Sequence, residues 1–257
     1  MGTTGFAAAL ALAAGFVWYT HRRKSLTPDG ALAAAFTGLW VLWWAGPLWL
    51  LPLFFFFISS TLLGRLNKYK TDAADAKHGQ PRDYRQVLCN GGIYALLAIW
   101  MPGPLRETAL TAMTLSLAVS TADTWSSEIG QYFRQKTVDI WRWQPVPVGL
   151  SGGVSVAGTA GGFAGALAMA ILGYALAPDH FDLKWMLLVT AGGFAGMLLD
   201  SLLGATLQAR YRDERTGALS DQRGGQNRLT SGVVWMSNDG VNFWSNALVT
   251  FTGIMYA

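Results

Sequence analysis

Apolar residues in this chain fall in long unbroken blocks rather than alternating with polar ones. Eight blocks recur, at 3–19, 29–45, 47–64, 85–101, 106–122, 153–176, 184–208 and 238–257. Each approaches the ~20 residues that a helix needs to cross a bilayer. The pattern predicts an all-α, polytopic membrane protein of about eight transmembrane helices in a single membrane domain, 1–257. The second and third blocks are divided by the turn signal Gly46–Pro47.

Composition sharpens this reading. The chain is 52% hydrophobic and 13% charged, against about 25% charged in an ordinary soluble domain. No Lys or Arg precedes the first block, and His21-Arg22-Arg23-Lys24 follows it, so the N-terminus is not read as a cleavable signal. The segments after blocks 1, 3, 5 and 7 hold 17 of the 19 Lys and Arg. Those segments share one side, which the positive-inside rule makes cytoplasmic. The expected placement is the cytoplasmic membrane, with both termini outside and the polar loops inside. SSTLLGRL (59–66) resembles DSLLGATL (200–207), and CNGGIYALL (89–97) resembles SNDGVNFWSNALV (237–249). The matching blocks are four apart, so a parallel repeat with halves 1–104 and 105–257 is possible; chance recurrence of small residues would look similar.

The candidate chemistry lies at the predicted cytoplasmic ends. Asp123, Glu128, Asp200 and Asp239 all fall there, where a carboxylate is costly unless paired or hydrated. Oxygen ligands without His or Cys suit Mg²⁺ shared with substrate phosphates. On a continuous helix Glu128 projects about 140° from Asp123. The two reach one ion only if the helix breaks near Trp125–Ser127; otherwise Glu128 has another role. Asp200 continues into Ser201, Gly204 and Gln208. Asn238, Asn242 and Asn246 line one side of the last block. Interhelical hydrogen bonding would account for any one of these alone.

A glycine-rich segment opens block 6. Gly149, Ser151, Gly152, Gly153 and Ser155 let backbone N–H groups approach an anion at a helix N-terminus, while Gly158, Gly162 and Gly165 have helix-packing spacing. A P-loop motif is absent from the sequence. Lys68, Arg82 and Arg85 are candidate phosphate clamps, with Gln86 and Asn90 one turn apart beside them; orientation and attraction to anionic lipid explain part of that charge. The loop 211–232 reads as a mobile flap or a plain connector. No nucleic-acid motif is present.

STADTWSSEIG, PVGLSGGVSVAGT, LLDSLLGATLQ, RDYRQVLCNGG and SNDGVNF together resemble the membrane family that includes plant and cyanobacterial phytyl-phosphate kinase. The resemblance runs from Ser25 to the end. It implies phosphorylation of an isoprenoid monophosphate to the diphosphate with CTP or another nucleoside triphosphate, and a distant likeness to the membrane polyprenol kinases. The expected partners are therefore an isoprenoid monophosphate lipid, a nucleoside triphosphate and membrane lipids, with Mg²⁺ as cofactor. Asp123 and Asp200 are the expected principal Mg²⁺ ligands, supported by Glu128 and Asp239. Two other classes stand beside the kinase: a transporter or flippase of an anionic lipid, and a cytidylyltransferase forming CDP-lipid.

Overall fold

The computed structural model describes residues 3–67, 80–214, 216–221, 223 and 227–255. Among them, eight α-helices follow the eight apolar blocks: α1 (Thr3–Arg22), α2 (Pro28–Trp44), α3 (Leu50–Leu66), α4 (Tyr84–Leu97), α5 (Arg106–Phe133), α6 (Val156–Leu176), α7 (Leu183–Thr206) and α8 (Asn238–Ile254). Local chemistry sets many of the ends. Thr27 caps α2, with Pro28 in its first turn. Asp83 and Gln86 form a reciprocal capping box on α4. Asp182 and Ser237 cap α7 and α8. Gly46, at φ +89°, turns the chain out of α2, and Pro47 opens a short 3-10 turn into α3.

Helix α5 is the axis of the molecule. Every residue from Ala109 to Ala122 is buried, because α3, α4, α6, α7 and α8 all pack against it. A helix enclosed on all sides has no need of a polar face. Its hydroxyls turn inward instead; Thr114 Oγ1, for example, donates to the Leu110 carbonyl at 2.8 Å. Glycines let α6 come close. A Cβ on Gly162 would stand 3.1 Å from the Ala122 carbonyl oxygen, and one on Gly165 3.0 Å from that of Thr121. These later glycines pack helices, as their spacing predicts. Asn246 ties α8 to the axis, its Nδ2 donating to Ser116 O at 3.0 Å and Ser120 Oγ at 2.9 Å. Tyr94 ties α4 to the α2–α3 turn, its hydroxyl donating to Trp49 O at 2.6 Å. One apolar cluster joins Val41, Tyr94, Met113 and Met169, and a smaller one, of Ala122, Ala166 and Met197, lies between α5, α6 and α7.

Large apolar side chains such as Leu12, Phe36, Ile58 and Leu187 point outward, where lipid tails are as apolar as they are. Among the described residues, three helical stretches, Pro47–Leu66, Val156–Leu176 and Leu183–Thr206, are long and apolar enough to cross a membrane by length and composition.

Helix α5 also departs from expectation. The apolar block ends at 122, but the helix runs unbroken through Trp125–Ser127 to Phe133 and stops where Arg134 adopts a left-handed conformation at φ 48°. Loss of hydropathy marks the end of an apolar span, not of a helix. The polar segments are folded as well. Strand β1 (Val138–Asp139) pairs antiparallel with β2 (Gly153–Val154), and β3 (Arg210–Asp213) lies between β4 (Leu219–Ser220) and β5 (Asn227–Ser231). The segment after α7 is thus a small sheet rather than a loose flap or plain connector.

Candidate functional site

Two polar cavities adjoin at the end of the bundle where α3 and α7 finish and α4, α6 and α8 begin. Asp123, Ser127 and Asn238 stand in the walls of both. The smaller, about 110 Å³, is lined by Gly149, Ser151, Gly152, Gly153 and Ser155 on one side and by Asp200 and Ser201 on the other. The larger, about 280 Å³, is lined by Arg23, Lys24, Arg65 and Arg82, with Gln86, Asn90, Asn242 and Glu128. One is walled by bare backbone and carboxylates, the other by cations, and α5 separates them.

The acidic residues divide. The carboxyls of Asp123 and Asp200 lie within hydrogen-bonding reach of each other. Asp200 is buried and anchored from α8: Ser245 Oγ donates to its Oδ2 at 2.8 Å, and the Asn242 amide, in the orientation that satisfies it, donates to the same oxygen at 3.1 Å. Two carboxyls this close, Asp200 buried and Asp123 half-buried, repel each other when both are ionised, unless a proton or a cation lies between them. No third acid, His or Cys among the described residues joins them. Because α5 is unbroken, Glu128 takes the other role: its carboxylate lies 3.0 Å from where a Cβ on Gly64 would stand, and its charge acts on Arg82. Asp239, in the first turn of α8, is buried outside both cavities, and its charge acts on Arg85. The expected set of four is therefore a pair plus two separate acids.

The glycine loop is held from behind. Gly149 and Gly152 adopt φ +85° and +77°. A Cβ on Gly152 would fall 2.5 Å from Ala205 N, and one on Gly204 would meet Ser151 Oγ, so backbone lies directly on the end of α7. Ser151 Oγ donates to Gln208 Oε1 at 2.7 Å, and Ser151 N donates to Asp221 Oδ2 at 3.0 Å. Arg210 donates to Ser151 O through Nη2 and to Asp139 Oδ2 through Nη1, the latter at 2.7 Å. Asp139 also accepts from the backbone N–H of Trp141 at 3.0 Å and of Arg142 at 2.8 Å. Burial pushes the Asp139 carboxyl up, but the Arg210 hydrogen bond and these N–H groups outweigh it and hold the group below its ordinary value. Ser155 caps α6 by accepting from Gly158 N at 3.2 Å, so the positive end of that helix faces the smaller cavity.

The expected phosphate clamps are sorted by the start of α4. Arg82 precedes the helix. Its backbone is pinned to the α1–α2 turn, since Thr27 N donates to Arg82 O at 3.0 Å and Arg82 N donates to Ser25 O at 3.2 Å, and its side chain enters the larger cavity. Arg85 lies on the exposed face, with Nε donating to Tyr84 OH at 3.1 Å, and lines neither cavity. Gln86 is in the wall, but its Oε1 accepts from Asp83 N at 3.2 Å, so the cap uses part of its capacity. Asn90 Nδ2 likewise donates to Gln86 O at 2.9 Å. Gln208 stands behind the glycine loop rather than in a cavity. Lys68 lies outside the described residues. Sequence reasoning missed Asp139, Arg210 and Asp221 as supports of the loop, and read Arg23 and Lys24 only as topology signals. The Asp-x-x-Gln capping box at 83–86 was the available clue that α4 starts at Tyr84 and turns Arg85 away.

Residues 11–250 match the family described as integral membrane protein DUF92. An uncharacterized membrane protein of Synechocystis sp. is 33% identical over 160 residues, covering 60% of this chain and 62% of that protein. An uncharacterized membrane protein of Methanocaldococcus jannaschii is 33% identical over 161 residues, covering 62% of this chain and 66% of that protein. The chain thus spans less than two thirds of the length of either. Protein PGR of Arabidopsis thaliana is 30% identical over 257 residues, 90% of this chain and 89% of that protein. No solved structure matches. The family match runs from within α1 to within α8, and the protein belongs to the DUF92 family of integral membrane proteins.

Proposed function

We propose that this protein is a membrane lipid-phosphate kinase that converts an isoprenoid monophosphate to its diphosphate with a nucleoside triphosphate, CTP by the family resemblance. The observation that carries the reading is the meeting of two unlike polar cavities at Asp123. A phosphoryl transfer needs two polyanions side by side and little covalent help from protein. The glycine cavity, at the positive end of α6, takes the nucleotide phosphates. The basic cavity takes the lipid phosphate on Arg82, Arg65 and Lys24. An oxygen of the lipid phosphate attacks the γ-phosphorus, a new P–O bond forms, and the nucleoside diphosphate leaves. The attacking phosphate is already ionised at pH 7, so no general base is required.

The paired carboxyls of Asp123 and Asp200 fit Mg²⁺, which is held by one or two carboxylates and shared with substrate phosphates. Bound there, it would neutralise charge on the transferring phosphoryl group. Ser245 and Asn242 fix the orientation of Asp200, and the glycine loop keeps its N–H groups in place through Arg210 and Gln208. The eight helices are read as eight spans of the cytoplasmic membrane, with this end on the cytoplasmic side and both termini outside. The two halves, 1–104 and 105–257, are read as a parallel repeat; Gly64 and Gly204, each following Leu-Leu in the resembling segments 59–66 and 200–207, each make a close approach, to Glu128 and to Ser151.

The test is direct. Purified protein is incubated with CTP or ATP, Mg²⁺ and a panel of prenyl monophosphates, and the products are weighed. The expected product is the prenyl diphosphate, lost in Asp123→Asn and Asp200→Asn variants that still fold. A CDP-lipid product would make the protein a cytidylyltransferase built from the same parts. Wild-type turnover in both variants would refute the metal assignment.

A further inference from the structure

A third cavity lies against the basic one. It is apolar, about 410 Å³, and runs between α1, α2, α3 and α4. Small residues make the room: Ala13 on α1, Ala35 and Gly38 on α2 and Gly91 on α4 line it, while Phe16 of α1 closes the side toward α3 through edge-on contacts with Phe54 and Phe57. Its polar end is the basic cavity itself, because Phe56, Arg82, Gln86 and Asn90 stand in both walls. The Arg82 guanidinium lies over the Phe56 ring at 5.8 Å, so the threshold is a cation on an aromatic face. Just inside the basic cavity Ser60 is fully buried, and its Oγ has no hydrogen-bond partner. A buried hydroxyl without a partner is costly, and a ligand oxygen would relieve it.

We propose that this groove is the lipid-tail site: a single prenyl chain lies in it, entering from the bilayer past α1, while its phosphate rests on Arg82 and Ser60. The inference rests on the kinase reading for the identity of the head, but the placement of the tail follows from the shared wall. Charge selects the occupant. A phosphomonoester carries close to two negative charges at neutral pH, matching Arg82, Arg65 and Lys24, whereas a zwitterionic phospholipid would bring its own cation into that cavity. Length follows from the helices. From Ala34 to Leu42 the groove follows α2 for about 12 Å at ~1.5 Å per residue, room for roughly two to three isoprene units. Longer tails continue into the membrane.

The test uses the full-length protein in nanodiscs and a geranylgeranyl monophosphate bearing a diazirine near its first isoprene units. Mass spectrometry should find the label on Leu12, Ala35 or Leu53. Excess unlabelled geranylgeranyl monophosphate should remove it, and phosphatidylcholine should not. Gly38→Leu should reduce labelling at least tenfold, since a Cβ there meets only Leu50 Cδ2 at 4.0 Å and the added carbons fill open groove. Ala35→Leu serves as the second variant should Gly38→Leu fail to fold. Retention of dimethylallyl monophosphate binding by these variants would confirm that only the tail is affected. Label scattered over the outer faces, or displaced equally by phosphatidylcholine, would overturn the proposal and leave the groove to ordinary bilayer lipid. Groove labelling without any diphosphate product would keep the tail site and reject the kinase. Diphosphate product with labelling elsewhere would do the reverse.

Discussion

Arg210→Met should release the glycine loop. The Arg210–Asp139 pair is 2.7 Å long, with side chains 5% and 1% exposed. Removing one partner of a buried ion pair typically costs about 3–5 kcal/mol, because the remaining charge stays buried; Asp139 keeps the half-exposed Arg142 at 3.5 Å, which places the cost toward the lower end of that range. Here the loss also frees the Ser151 carbonyl. At 1.4 kcal/mol per factor of ten, amides that exchange by opening of this arm should exchange roughly a hundred- to several-thousand-fold faster. Hydrogen exchange with mass spectrometry reports it in peptides covering 138–154, where Ile140 N donates to Gly152 O at 3.0 Å. The double variant Arg210→Met/Asp139→Asn removes both charges, and the Asn oxygen still accepts from Trp141 and Arg142. It should recover most of the protection, to within about tenfold of wild type, as expected for directly coupled residues. Exchange within twofold of wild type in Arg210→Met would refute the clamp. A double variant as exposed as the sum of the singles would show that charge pairing is not the cause.

Three further outcomes are expected. The Asp139 carboxyl is held below its ordinary value, so its contribution is complete above the unfolded value of about 3.9 and is lost only as pH falls through the lower folded one; exchange protection of 138–154, corrected for intrinsic rates, should be flat from pH 8 to about 4 and fall below that. Arg82→Ala should raise the KM for the lipid monophosphate by about ten- to a hundredfold, the worth of a charged hydrogen bond of about 1.5–3 kcal/mol, while Arg85→Ala should stay within about twofold because Arg85 faces outward on Tyr84. Gly152→Ala combines a left-handed backbone with a contact on Ala205 and should abolish nucleotide-dependent thermal stabilisation; Gly217→Ala, at φ +72° with open space around it, should cost only about 1–2 kcal/mol and leave that stabilisation intact.

The helices were legible because their signals are local: apolar blocks of membrane length, Gly46–Pro47 between α2 and α3, and Ser or Asp at the caps. The end of α5 was not, because the apolar signal stops at Ala122 while the stop at Arg134 is a backbone conformation with no glycine to announce it. Asp123, Asp200 and the glycine loop stood out as polar or bare positions beside apolar blocks. Asp139 and Arg210 did not: each is an ordinary charge in an ordinary loop, and what makes them a buried pair is a contact across 71 residues of sequence. The same limit applies to Arg82 and Arg85, equal in type and three apart, which one helix start sends to opposite surroundings.

The enclosure of α5 bears on how the chain is made. Its interior hydroxyls and its neighbours α6, α7 and α8 imply that it has no finished environment when it leaves the ribosome, since three of its five packing partners have yet to be translated. A nascent chain ending after α5 would present Thr114 to lipid along the face that Gly173 of α6 later covers. Release of this segment from the insertion machinery should therefore wait for α6, so that truncation at 155 yields a product that is degraded, whereas truncation beyond α8 leaves the axis sheathed.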